Sequence, residues 1–259
     1  MKKVQYTFEG TEDSTGYLFS LVKCLSAALR CSRYCEYADR MWGQDEIEVQ
    51  QRQKAVDMVR RSIDDGVAAV AWDVSGCEWG AVTGYDDEQS LLSIYKVNGI
   101  EDTLAYDKLG RLEIPILSVL TVTDGKRKSP EQLVADTKKL AVSHLKGEEW
   151  CDNKKGMEVY DFLIHYIQES LSGDTAWNLE YYLGTYASLK WYAWKFFEKY
   201  GEEELAGLYQ IVNTEWKSAF DSKCAGDVSD PAVKKSMAEA LERARDAEGK
   251  ALDCMEHTV

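Results

Sequence analysis

Seven cysteines and three histidines hold most of the nucleophilic and acid–base chemistry open to this 259-residue sequence. A catalytic thiol needs an imidazole beside it or an electropositive helix N-terminus beneath it. Cys24, in Lys23-Cys24-Leu25-Ser26, is the candidate nucleophile. At the first turn of a helix its pKa would fall and its thiolate could attack a carbonyl. Two turns in, on one stripe with Tyr17 and Leu21, it would be a buried and inert side chain. No histidine precedes His144, and only His165 and His257 follow it. His165 lies in a mostly apolar run and reads as an interface or core histidine, and His257 as part of a fraying terminus. Cys31 and Cys35 are spaced to share a helix face, but zinc needs two further ligands and no second short-spaced Cys/His pair exists. An odd number of irregularly spaced cysteines reads as reduced thiols in a cytoplasmic protein, with no metal and no cofactor expected.

A second kind of site surrounds the loop 73–78. Trp72, Trp79 and Tyr85 flank it, and Asp73 and Glu78 place carboxylates at its two rims. Such a set can line a pocket for a small or cationic ligand. Alternatively, Trp79 is a plug packed on the first helix. The stretch 175–200 carries Trp177, Tyr181, Tyr182, Tyr186, Trp191, Tyr192, Trp194, Phe196 and Phe197, so it reads as a helix covered by neighbours. An aromatic ligand pocket or a homodimer face is the other reading. Glu239, Glu242 and Glu248, like Glu202-Glu203-Glu204, read as solvated helix faces, and no Glu-x-x-His pair suggests a di-iron bundle.

These residues must be held by two kinds of architecture. Residues 4–8 alternate as a strand, and Tyr17 to about Tyr37 has the 3–4 spacing of a helix. A second, more polar helix over 46–65 ends at Gly66, a C-terminal glycine. Short β-branched and aromatic runs at 67–72, 79–85, 91–97 and 114–120 read as strands, with 86–90 as a hairpin turn. The polar run Asp124 to Pro130 marks a boundary between residues 1–125 and 129–259. Beyond it the pattern is helical over 129–146, 156–172, 175–200, 202–223 and 231–256. Ser129-Pro130 and Asp230-Pro231 are N-cap plus first-turn proline signals. The expected class is α+β, an antiparallel sheet packed on helices followed by an all-α bundle. A net charge of −14 argues against nucleic acid and anionic membrane surfaces as partners. No run approaches the roughly 18 apolar residues of a membrane span.

The order helix, helix, sheet, with the strand Trp79-Gly80-Ala81-Val82-Thr83-Gly84-Tyr85-Asp86, resembles the C39-like papain-fold peptidases. The likeness is to the branch that includes the N-terminal domain of butirosin biosynthesis protein H. The C-terminal half is similar to a helical extension of such proteins that opens with Gly-x-x-x-Tyr-Asp, here Gly156 to Asp161. The resemblance implies a papain-like fold, a nucleophile at Cys24, and a third catalytic residue at the end of the next strand, where Asn98 stands. It also places a histidine where this chain has Trp79, whose indole only donates and cannot act as a base. The expectation is therefore a papain-like unit lacking peptidase activity that binds a small molecule or an acyl or peptidyl group. One alternative is acyl transfer or amide hydrolysis through Cys24, with the base supplied by His144, His165 or the substrate amine. The other is a structural, dimerising module.

Overall fold

The computed structural model describes residues 1–3, 35–39, 45–123, 128–148, 153–176 and 178–258. These fall into two compact units, one within the first 123 residues and one from Lys128 onward. The strand expected at 4–8, most of the first helix, and Cys24 lie outside the described residues.

The first unit is an antiparallel sheet with a helix on one face. Its strands are β1 (Lys2–Lys3), β2 (Cys35–Asp39), β3 (Ala69–Ala71), β4 (Gly80–Asp86), β5 (Leu91–Tyr95), β6 (Glu101–Ala105) and β7 (Ser118–Val122), with helix α1 (Asp45–Asp64) between β2 and β3. The order is β2-β7-β3-β4-β5-β6, and β1 pairs with β4 beyond the end of β3. From α1, Ala55, Val56, Val59 and Ile63 pack on Ala69, Ala71, Val82, Leu92, Ile94 and Val119. The alternate positions Val70 and Leu120 point to the opposite face, with Val97 and Trp79. Gly66 follows α1 at φ +82°, the left-handed conformation of a helix-ending glycine.

Three expectations change here. The first helix does not reach Tyr37, because Cys35–Asp39 pairs residue for residue with Ser118–Val122 as an edge strand. Cys35 is therefore in extended backbone and cannot share a helix face with Cys31. The strand expected at 114–120 starts only at Ser118, since Pro115 offers no N–H to a ladder and Ile116 N–H donates back to Ile114 O at 2.7 Å. Glu101–Ala105 is a further strand, whose acidic residues are exposed on the sheet edge, where charge discourages pairing with other chains.

The second unit is helical: α2 (Pro130–Leu145), α3 (Glu158–His165), α4 (Leu179–Lys199), α5 (Glu203–Ala225) and α6 (Pro231–Glu256). Ser129 and Asp230 cap α2 and α6, accepting from Gln132 N–H and Ala232 N–H at 3.2 and 2.8 Å, each ahead of a first-turn proline. Helix α3 passes into a single π-turn over Tyr166–Ser170. The core gathers Ile164, Ile167, Leu183, Phe197, Trp216, Met237, Leu241 and Met255. Helix α4 buries Gly184, Thr185, Ala187 and Ser188, small residues that let a neighbour approach closely. Its aromatics sit further out than expected: Tyr181 and Tyr182 are 41% and 48% exposed, and Phe197 alone among the described ones is fully buried. No helix among the described residues is long and apolar enough to cross a membrane.

Candidate functional site

In the sheet unit the structure separates most of the residues singled out from the sequence. Trp72 and Trp79 meet edge to face, ring centroids 5.5 Å apart, and Trp79 packs with Val70, Val97 and Leu120. Tyr85 lies six residues further along β4, about 20 Å away at strand rise, and faces α1. A bulge causes this: Val82 pairs with Ile94 and Gly84 with Ser93, so Thr83 is an extra residue and the alternation shifts phase. Tyr85 O–H donates to Asp64 Oδ1 at 2.8 Å, and the Arg60 guanidinium lies 5.5 Å over its ring.

Asp73 is 2% exposed and fully engaged. Its Oδ1 accepts from Cys77 N–H at 2.8 Å and its Oδ2 from Ile114 N–H at 2.7 Å. It therefore ties loop 73–78 to the segment before β7. Glu78 is half-buried on the same loop. Asn98 is exposed in the β5–β6 turn, where its Oδ1 accepts from Ile100 N–H at 3.2 Å. The Cys77 Sγ donates to Glu113 Oε2 at 3.0 Å, and that contact, with partial burial, pushes its pKa up to about 11. Cys77 is thus a thiol, not a thiolate, at neutral pH. A cleft of about 460 Å³ lies beside this loop, walled by Asp73, Ile94, Lys96, Asp102 and Glu113 among others. Its charged groups are already engaged: Lys96 and Asp102 pair at 2.6 Å, Asp73 holds two backbone N–H groups, and Glu113 accepts from the Cys77 thiol.

The helical unit holds the better-built site. Glu248 is 1% exposed, which overturns its reading as a solvated face. Its Oε1 accepts from Lys190 Nζ at 2.5 Å and its Oε2 from Tyr160 O–H at 2.6 Å, while Tyr160 Oη accepts from Trp216 Nε1–H at 2.7 Å. Tyr209 also hydrogen-bonds Glu248. Burial first, and the Glu248 charge second, push the phenol pKa values of Tyr160 and Tyr209 well up. The signal for this burial was readable in the sequence. Glu248 stands in the stripe Met237, Leu241, Ala244, Ala251, Met255, at helical spacing.

A cavity opens beside this network. Its inner chamber, about 190 Å³, is lined by His144, Lys154, Lys155, Tyr160, Lys190 and Glu248, with Tyr186 and Trp216. An outer lobe of about 520 Å³ is lined by Val159, Phe162, Leu163, Tyr182 and Tyr186. The two share Lys154, Val159 and Tyr186 in their walls, so they adjoin. Gly156 sets the geometry: its φ is +57°, and a Cβ there would lie 2.3 Å from Leu145 O and 2.7 Å from Gly147 N. That close approach fixes the Lys154-Lys155 segment against the end of α2, with Met157 N–H donating to Leu145 O at 2.9 Å. His144 sits exposed at this end of α2, and His165 is exposed too, contrary to the core or interface position expected of it. His257 is held by its Nδ1 against Asp253 O at 2.6 Å and caps α6 rather than fraying. Among the described residues no three His, Cys, Asp or Glu side chains stand together as metal ligands would.

The arrangement can bind; it is poorly disposed for proton transfer, because Glu248, its one buried carboxylate, is already committed to Lys190 and two phenols. No protein-family model matches the chain, and no curated protein matches it.

Proposed function

We propose that this is a small-molecule-binding protein, in which a papain-like, C39-like sheet unit without hydrolase chemistry is joined to a helical unit that holds the ligand. The observation that carries the binding reading is the two-chambered cleft of the helical unit. Its outer lobe has a volume within the usual range of ligand sites and walls of Val159, Phe162, Leu163, Tyr182 and Tyr186. The Phe162 and Tyr182 side chains are half exposed at its mouth. The antiparallel sheet with Gly84-Tyr85-Asp86 on an inner strand supports the papain-like reading. The lack of any histidine before His144 supports the absence of hydrolase chemistry.

The test is a thermal-shift screen of the full chain against apolar and aromatic small molecules. A ligand of the native state raises the melting temperature by mass action. Hits are expected, and Val159→Trp, which puts an indole at a wall common to both cavities, should abolish their shifts. No hits, or hits indifferent to Val159→Trp, would sink the reading. The catalytic alternative is tested separately with a thiol electrophile: rapid, saturable labelling of Cys24 that Cys24→Ala removes would restore the acyl-transfer reading.

A further inference from the structure

Lys190 is the member of the buried hub left with N–H groups to give. Its ammonium carries three of them, and its side chain is 14% exposed. Among the described residues its one acceptor is Glu248 Oε1, at 2.5 Å. The other donors of the hub are taken. Trp216 gives its only N–H to Tyr160 Oη, and the hydroxyls of Tyr160 and Tyr209 both go to Glu248. Lys190, Glu248, Tyr160 and Trp216 all line the inner chamber, so the unmet donors stand at its wall. His144 and Lys155 line it too, have contacts of their own, and stay outside this count. A buried donor without an acceptor is costly, so the ammonium calls for an oxygen from whatever fills the chamber.

At about 190 Å³ the chamber exceeds the roughly 150 Å³ that holds benzene in an engineered protein cavity. Leu145, Val159 and the Trp216 ring supply apolar wall beside the hub. Water there is anchored at the ammonium and short of partners against those side chains. A molecule with an acceptor at one end and an apolar ring behind it keeps the first contact and gains by displacing the rest.

We infer that the inner chamber is itself a ligand subsite, which takes a ring-sized molecule bearing a carbonyl-type acceptor oxygen held by the free N–H groups of Lys190. This rests on the binding reading above and adds which atom of the ligand is recognised and by which side chain. Glu248 is a positioning residue, since its hydrogen bond fixes the ammonium at the wall. A ligand with an ammonium head is excluded, because it meets the like charge of Lys190 and a carboxylate already holding three donors.

Proton–nitrogen correlation spectra of the full chain read the site through the Trp216 indole N–H, assigned by its loss in Trp216→Phe. Cyclohexanone, methylenecyclohexane and cyclohexylammonium serve as probes, because the three share a ring and differ in the head. Cyclohexanone should shift the Trp216 resonance saturably, and cyclohexylammonium should leave it in place; this comparison needs no variant. Lys190→Met/Glu248→Leu removes both charges together and strands neither. In it the affinity for cyclohexanone relative to methylenecyclohexane should fall about tenfold or more. A relative affinity unchanged in that variant, or cyclohexylammonium binding as well as the ketone, would overturn the inference. So would a Trp216 resonance that no probe moves while apolar ligands of the outer lobe still raise the melting temperature, the result for a chamber that holds water only. If no ligand of any kind raises the melting temperature, the binding reading falls and this inference with it.

Discussion

Tyr85 in the sheet unit and Tyr160 in the helical unit are built alike. Tyr85 directly follows Gly84 and Tyr160 stands one helical turn after Gly156, both glycines that allow close backbone approach; each tyrosine precedes an aspartate engaged in a tie of its own, and each donates its hydroxyl to a carboxylate, at 2.8 Å and 2.6 Å. Gly84 admits the Lys2 carbonyl, which a Cβ would meet at 2.3 Å, and Gly156 admits that of Leu145 at the same distance. Asp86 accepts from Glu88 N–H and Gln89 N–H in the hairpin turn, and Asp161 pairs with Arg245 at 2.8 Å. The acceptors differ. Asp64 is nearly half exposed and pairs with the exposed Lys2, whereas the Glu248 side chain is 1% exposed. One motif anchors a surface charge cluster; the other anchors a carboxylate that water cannot reach. A tyrosine donating to a carboxylate is therefore a cheap tie in one unit and part of a buried charged hub in the other.

The comparison is broken or sharpened most strongly at the hub. Lys190→Met or Glu248→Gln should each destabilise the protein by about 3–5 kcal/mol, because a buried charge loses its partner. Lys190→Met with Glu248→Leu together should recover much of that loss. Urea unfolding measures all three, and a single-variant cost under about 1 kcal/mol would show that the hub is no more than a surface pair. Gly156→Ala comes next, at about 3 kcal/mol, since it combines positive φ with a backbone clash. Gly84→Ala should cost about 1 kcal/mol, since only the two-residue β1 must shift.

Alkaline titration separates the tyrosines. Tyr160 and Tyr209 have raised pKa values when folded, so their stabilisation is complete below the ordinary phenol value near 10. It is lost as pH rises beyond it, by about 1.4 kcal/mol per pH unit for each. Absorbance of phenolate during alkaline unfolding reads this directly, and a folded protein whose phenolate signal near pH 10 is unchanged in amount by the unfolding, or falls by one tyrosine in each of Tyr160→Phe and Tyr209→Phe, would refute it. Tyr160→Phe should cost about 1–3 kcal/mol, since it leaves Trp216 Nε1–H and Glu248 each short of a partner. Tyr85→Phe is the smallest, about 0.5–1.5 kcal/mol. On the acid side the sign is opposite. The Lys2 hydrogen bond, then that of Tyr85, holds Asp64 below the usual carboxylate range. Its contribution is present at neutral pH and fades as pH falls through that lowered value, which a stability profile of Tyr85→Phe against the native protein would show.

Much of the scaffold was legible because its signals are local. Ser129-Pro130 and Asp230-Pro231 begin helices, Gly66 ends one, and Asp86 to Ser90 turns a hairpin, each by chemistry confined to a few neighbours. Elements that depend on distant partners were not legible. Cys35–Asp39 is a strand only because Ser118–Val122 lies beside it, and Glu101–Ala105 hides an edge strand under acidic residues. At the candidate site the failure was of weighting. The stripe through Ala244 and Ala251 placed Glu248 inside, but its charge suggested solvent; the partners that make burial tolerable, Tyr160 and Lys190, stand 88 and 58 residues away. The cleft itself is a product of packing between Asn153 and Tyr186, which no spacing rule reports.

The bulge at Thr83 has an evolutionary reading as well as a geometric one. A relative that keeps a tyrosine over the α1 face must keep two residues between it and the position of Val82, where a regular strand would have one. In an alignment this strand should therefore resist single-residue deletion even though the bulged residue itself carries no chemistry. A deletion tolerated there would mark a lineage in which the phenol has changed sides of the sheet and Asp64 has lost its donor.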